Sequence, residues 1–277
     1  VNLEASEIEQ TEKETGFGVY LGWPKVKTIG VLAFRTLERL LDTGQYRTLA
    51  VIMAGLLIAW HLYTPIHELL HVAGCVFTGG TVEELALKPQ YGGTVLQHVF
   101  PFITPESDYA GQLTGFSTPN KWSYAVVDFL PFVLSIPAGL LMVWCYRNRN
   151  TWLFGLALIL AFVPIMSITG DFFEGASLVT SEMLSWMEPS LGDRFLISDD
   201  MFKLVGELME NQQMTAMIGF MIAVTFLLGT TFIYLLMFLQ GYLVHKLYGE
   251  DILSKLANAG ADERAKATAS KASTVAT

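Results

Sequence analysis

The chain has 277 residues, of which 52% are hydrophobic and only 16% charged, too apolar for a soluble globular domain, where about a quarter of residues carry charge. Its formal net charge of −9 excludes nucleic acid as a natural partner. The two cysteines, Cys75 and Cys145, sit by span position toward opposite membrane faces, so no disulfide is expected between them.

Residues 1–27 open on an acidic, polar stretch without the basic start and apolar run of a cleavable signal peptide, and they read as a disordered acidic tail. From Thr28, the run TIGVLAFRTLERLLDTG places Ile29, Leu32, Leu37, Leu40 and Leu41 on one helical face. Arg35, Glu38 and Arg39 lie on the other, and Gly44 is a stop signal. Residues 28–44 are therefore an amphipathic helix, either lying in the membrane interface or packed on the cytoplasmic ends of the spans.

A bilayer span takes roughly 20 mostly apolar residues, and four runs qualify: about 48–78, 122–146, 152–170 and 214–247. Pro65 within the first removes a helical hydrogen bond. A kink or restart is expected there, with Thr64 as cap and Pro65 at the first helical position. After this span Val82, Leu85 and Leu87, then Thr94, Val95 and Val99, flank the turn-former QYGG, which predicts a β-hairpin over 82–99. The Pro- and Gly-rich segment from there to Asn120 reads as loop. Beyond the third span, 177–186 and 200–211 read as short amphipathic helices. The fold class is thus an all-α polytopic membrane protein with about four transmembrane helices, a β-hairpin after the first and an N-terminal amphipathic helix. Residues 45–175 form its core, 176–213 a non-cytoplasmic helical loop, 214–248 the last span and 249–277 a disordered tail. Thirteen Lys and Arg fall on the side of the termini against four on the other, so both termini face the cytoplasm, as in a multi-pass protein of a bacterial inner membrane.

The first span carries HELLH at 67–71. Two histidines four apart share one helical face and can grip one metal ion. Zinc suits imidazole ligands, and a catalytic zinc keeps a position open for water, whose proton the adjacent Glu68 can take. Ionisable groups within a span are costly enough to be functional by default. A third ligand is needed, with Asp171, Glu174, Asp128 and His98 as candidates. Asp171, ending the third span at the depth of HELLH, is the choice, and Glu174 one turn on is the alternative ligand or a partner to it. For the remaining residues, His98 reads as a substrate or oxyanion contact or as a hydrogen-bonded loop histidine. Asp128 reads as a substrate-binding acid or a cap before Pro131. Cys75 reads as packing, His61 as a structural polar contact and His245 as interfacial.

The stretch HELLHVAGCVFTGGTVEELALKPQYGG resembles the site-2 protease family of intramembrane zinc metalloproteases, in particular its small members without a PDZ domain. The likeness continues through DYAGQLTGF and returns at SITGDFFEG, which is similar to the family's aspartate motif. It departs where Gly-Asp-Phe-Phe stands in place of Leu-Asp-Gly, and where VVDFLPFVLS, with Asp128, stands in place of Gly-Pro-x-x-Asn. The family also usually holds its site toward the cytosol, whereas the charge pattern here sets HELLH near the other face.

The resemblance implies zinc ligation by His67, His71 and Asp171 and a general base at Glu68. It also implies a hairpin that guides an extended substrate strand to the metal. From their positions alone, His98, Asp128 and Glu174 are the candidate substrate contacts. The expected partners are a transmembrane protein substrate, the lipid bilayer and subunits of a larger membrane complex. The rival expectation is a protease-like subunit or assembly factor without strong catalysis. A transporter is the third, disfavoured by the lack of an internal repeat.

Overall fold

A computed structural model describes residues 23–187 and 197–249. The acidic tail over 1–22 and the tail over 250–277 lie outside the described residues, as does Arg194 of the charge count. In chain order the elements are α1 (Trp23–Val26), α2 (Thr28–Asp42), α3 (Tyr46–Phe77), β1 (Thr81–Leu87), a 3-10 turn at Pro89–Tyr91 and α4 (Gly93–Leu96). Then follow β2 (Ile103–Thr104), β3 (Gly111–Ser117), α5 (Lys121–Phe129), a 3-10 segment at Leu130–Leu134 and α6 (Ser135–Arg147). The remainder is α7 (Thr151–Met166), α8 (Asp171–Met187), α9 (Met201–Glu210) and α10 (Ala216–Tyr248). Four helical stretches are long and apolar enough to cross a membrane: Tyr46–Phe77, Lys121–Arg147, Thr151–Trp186 and Ala216–Tyr248. The mostly helical, four-span class read from the sequence is the one observed.

Five details refine that reading. First, α3 runs unbroken through Pro65, so there is no restart. The Thr64 hydroxyl donates back to the Trp60 carbonyl instead of capping a new helix, the usual way a Ser or Thr side chain eases a proline in a membrane helix. Second, the sheet that follows the first span is three-stranded, in the order β2-β1-β3. The expected second strand at 94–99 is helix α4 and the turn after it, because Gly92 takes a left-handed φ of 90° and turns the chain into a helical segment. The antiparallel partner of β1 is β3, in register Leu85↔Leu113 and Leu87↔Gly111, drawn from the segment read as loop. Third, 177–186 is no separate helix but the end of α8, which starts at Asp171 and belongs to the third span. The short helix expected at 200–211 is α9, capped by the Asp200 carboxylate, which accepts from the Phe202 and Lys203 amides.

Fourth, α2 is packed on protein: Ile29, Leu32 and Leu40 of its apolar face are buried, as are Thr28 and Thr36, while Leu41 is exposed. Its apolar face is thus largely covered by protein. Fifth, the His245 side chain is buried in protein, with its Nε2 2.9 Å from the Thr28 hydroxyl. Both cysteines are buried and free.

Two compact units can be distinguished. The first comprises residues through 55, 136–158 and from 234 onward; the second comprises 56–135 and 159–233. Among its described residues the first carries Lys25, Lys27, Arg35, Arg39, Arg47, Arg147, Arg149 and Lys246 against only Glu38 and Asp42. The second carries only Lys88, Lys121 and Lys203 against thirteen acids.

Candidate metal centre

The site lies in the second unit and is built on α3. Successive positions of HELLHV face different ways around this helix. His67, Glu68 and His71 point to one side and are buried. Leu69 and Val72 pack instead against the sheet core of Leu85, Leu87 and Ile103. The helix ends at Gly79, whose φ of 84° is open to glycine. The Gly80 amide donates to the Cys75 carbonyl and the Gly79 amide to that of Val76, the paired bonds of a Schellman stop. That stop sends the chain straight into β1.

Two further elements complete the site. Helix α5 approaches α3 closely at Gly74, where an added Cβ would stand 3.0 Å from the Val127 Cα; small residues allow this in membrane helices. The approach lets the Val127 carbonyl accept from His71 Nδ1 at 2.8 Å. Helix α8 begins at Asp171 and is held by Phe172, which packs on Phe132 with ring centroids 4.4 Å apart. Gly175 lies beneath the Phe129 ring, 2.7 Å from where its Cβ would be.

These contacts bring three donor atoms together. His67 Nε2 lies 2.9 Å from His71 Nε2 and 3.1 Å from Asp171 Oδ2, and one ligand atom from each residue falls within 4.8 Å of the others. The Tyr63 hydroxyl sits 2.6 Å from His67 Nδ1, and Phe132 packs edge-on against the His67 ring.

The hydrogen bonds test whether this group fits a metal. A carbonyl only accepts, so His71 Nδ1 carries its proton toward Val127, and Nε2 of the neutral ring is left with a lone pair. That lone pair and the Asp171 carboxylate both face His67 Nε2, which can offer at most one proton. A shared divalent cation satisfies all three. The far ring nitrogen of each histidine also has a partner of the kind that orients metal-ligating imidazoles. The residues fit a metal ion.

Glu68 lines a cavity of about 640 Å³ together with His71, Asp171, Asp128, Glu174 and residues of β3. Gly111 of β3 passes directly over it: a Cβ there would meet the Glu68 Cγ at 2.5 Å. Asp128 is buried to 3% exposure, and its Oδ2 has no hydrogen-bond partner. It sits in α5 before the 3-10 segment carrying Pro131. Glu174 accepts from the Tyr124 hydroxyl at 2.5 Å. His98 is not part of this group; it bonds the Thr94 carbonyl one turn back at 2.9 Å and is exposed. Cys75 points away from the histidines, its Sγ 3.5 Å from the Thr81 and Ser117 carbonyls. His61 bonds Leu57 in its own helix and packs on Tyr91.

Sequence reasoning missed Tyr63 and Tyr124. Tyr63 carried a usable signal, since it precedes His67 by four residues and so shares its helical face. Tyr124 carried none, because its partner lies fifty residues away. Comparison of the chain with protein-family models, curated proteins and solved structures gives no match.

Proposed function

We propose that the chain is an intramembrane zinc metalloprotease, hydrolysing peptide bonds of membrane-embedded or membrane-proximal protein substrates. The observation that carries this reading is the convergence of His67, His71 and Asp171 beside a glutamate that lines the same cavity. The resemblance of the HELLH stretch to site-2 proteases supports it from the sequence side. The donor set of two imidazoles and one carboxylate, with room beside it, suits a catalytic zinc site. When bound, zinc polarises a peptide carbonyl and acidifies a water.

The chain's own residues supply the rest. Glu68 takes the proton of the attacking water and passes it to the leaving amine nitrogen. Tyr63 and the Val127 carbonyl hold the two imidazoles in orientation. β3 ends the sheet, and Gly111, Gln112, Leu113, Thr114 and Phe116 of this strand line the cavity. An extended substrate segment adding to its outer edge would bring its backbone alongside Glu68. This assigns the guiding role to β3 in place of the 82–99 hairpin. A substrate helix must unwind locally to pair in this way, since its backbone groups are otherwise bonded within the helix.

Purified protein in detergent, assayed for zinc and for cleavage of a single-span reporter substrate, tests the proposal. Wild type is expected to hold about one zinc per chain and to cleave. Glu68→Gln is expected to keep the metal and lose cleavage. Full cleavage by Glu68→Gln would overturn the mechanism, and stoichiometric zinc without cleavage by wild type would favour the non-catalytic subunit.

A further inference from the structure

The first unit contains a second cavity, of about 740 Å³, that has no part in the chemistry above. It opens where α2 ends, α3 and α7 begin, and α6 ends. Its floor is apolar, made by Leu40, Ile52 and Phe154, all buried. The floor closes because α3 and α7 touch backbone to backbone: a Cβ on Gly155 would lie 2.3 Å from the Ile52 carbonyl oxygen, and one on Gly55 2.7 Å from that of Trp152.

The rim is polar and cationic. Arg39 and Arg149 line it with the hydroxyls of Thr43 and Thr48, and no Asp or Glu is among the lining residues. Arg39 is set over the Tyr146 ring, 5.4 Å from its centroid. Tyr46, Trp144 and Trp152 stand exposed at the adjoining helix ends, the placement of aromatic side chains at a membrane–water boundary. An apolar floor below a cationic, hydroxyl-bearing rim at that depth matches a ligand with a phosphate at one end and hydrocarbon at the other.

We propose that this cavity is a binding site for one anionic phospholipid, its phosphate held by Arg39 and Arg149 and its acyl chain starting along Leu40, Ile52 and Phe154. A free phosphate shares the headgroup chemistry but makes no use of the floor. A juxtamembrane arginine contributes about 1 kcal/mol to binding an anionic lipid, or about five-fold in affinity.

The test is lipid binding by native mass spectrometry and thermal melting of the full chain in a neutral detergent. The probes are dioleoylphosphatidylglycerol, dioleoylphosphatidylcholine and inorganic phosphate. Wild type is expected to retain one phosphatidylglycerol and to melt higher with it, and to respond to neither of the others. Arg149→Gln and Arg39→Gln are each expected to weaken that binding about five-fold. Arg35→Gln and Arg47→Gln, which alter arginines outside the lining, should leave it nearly unchanged. Equal losses in all four variants would reduce the effect to bulk charge and overturn the proposal. So would an equal melting shift with inorganic phosphate, or equal retention of phosphatidylcholine. Arg149 is exposed, so its variant decides the matter should Arg39→Gln fail to fold.

Discussion

Gly111 and Glu68 occupy one space: the side chain that glycine lacks would overlap the Glu68 Cγ at 2.5 Å and its carboxyl carbon at 3.0 Å. The third strand is thus a wall against which the proposed general base is set. Gly111→Val is expected to displace the Glu68 carboxylate while leaving His67, His71 and Asp171 in place. Misplacing a catalytic group by about 1 Å can cost about 100-fold in rate. Cleavage should fall by at least that factor with zinc content unchanged, a pair of readings obtained from one preparation. Loss of zinc in parallel would show that the strand supports the metal site as a whole.

The Tyr63 hydroxyl bonds the far nitrogen of the His67 ring. Removing such a partner typically weakens metal binding about 10- to 100-fold. Tyr63→Phe is therefore expected to release zinc to a competing chelator at about 10- to 100-fold lower chelator strength than wild type, with the fold intact by circular dichroism. An unchanged zinc affinity would mean that packing by Phe132 alone orients the ring.

Tyr124 and Glu174 form a short polar contact lining the cavity, 2.5 Å between hydroxyl and carboxylate oxygen. Tyr124→Phe leaves the carboxylate without its donor in a partly buried setting, and an orphaned buried polar group costs about 1–3 kcal/mol. The variant should melt lower while its zinc content stays at the wild-type level, because Glu174 is not one of the converging ligands. If zinc is lost too, Glu174 holds Asp171 in place.

What the sequence made legible follows from how local each signal is. The four spans show through length and apolarity alone, and His67 and His71 through a spacing that any helix turns into a shared face. Asp171 was reached by matching depths along two spans. The sheet was harder. β3 contains Gly111 and Gly115, residues that ordinarily weaken a strand, and so it read as loop. Those glycines are required by neighbours invisible in the sequence: Glu68 under Gly111, and Glu84, whose Cβ is 2.9 Å from where that of Gly115 would be. The same holds for His245, whose hydroxyl partner Thr28 lies far away in the chain. Long-range contacts hid what local periodicity could not report.

Gly74 tests whether helix approach, and not the ligands alone, sets the metal site. Its missing Cβ lets Val127 come close enough for its carbonyl to accept from His71 Nδ1. Gly74→Leu must push α5 away from α3, because the atom it meets is backbone and cannot swing aside. Overpacking of this kind costs about 1–3 kcal/mol, so the melting temperature should drop. The separation also lengthens the His71–Val127 bond, freeing the ring to rotate and weakening zinc binding in step with stability. Gly30→Ala serves as the comparison, since nothing lies within 4 Å of its added Cβ; it should leave zinc binding unchanged and raise, not lower, the melting temperature. If Gly74→Leu lowered stability but held zinc as tightly as wild type, the Val127 carbonyl would have no part in orienting His71, and the geometry of HELLH in α3 would suffice to form the site.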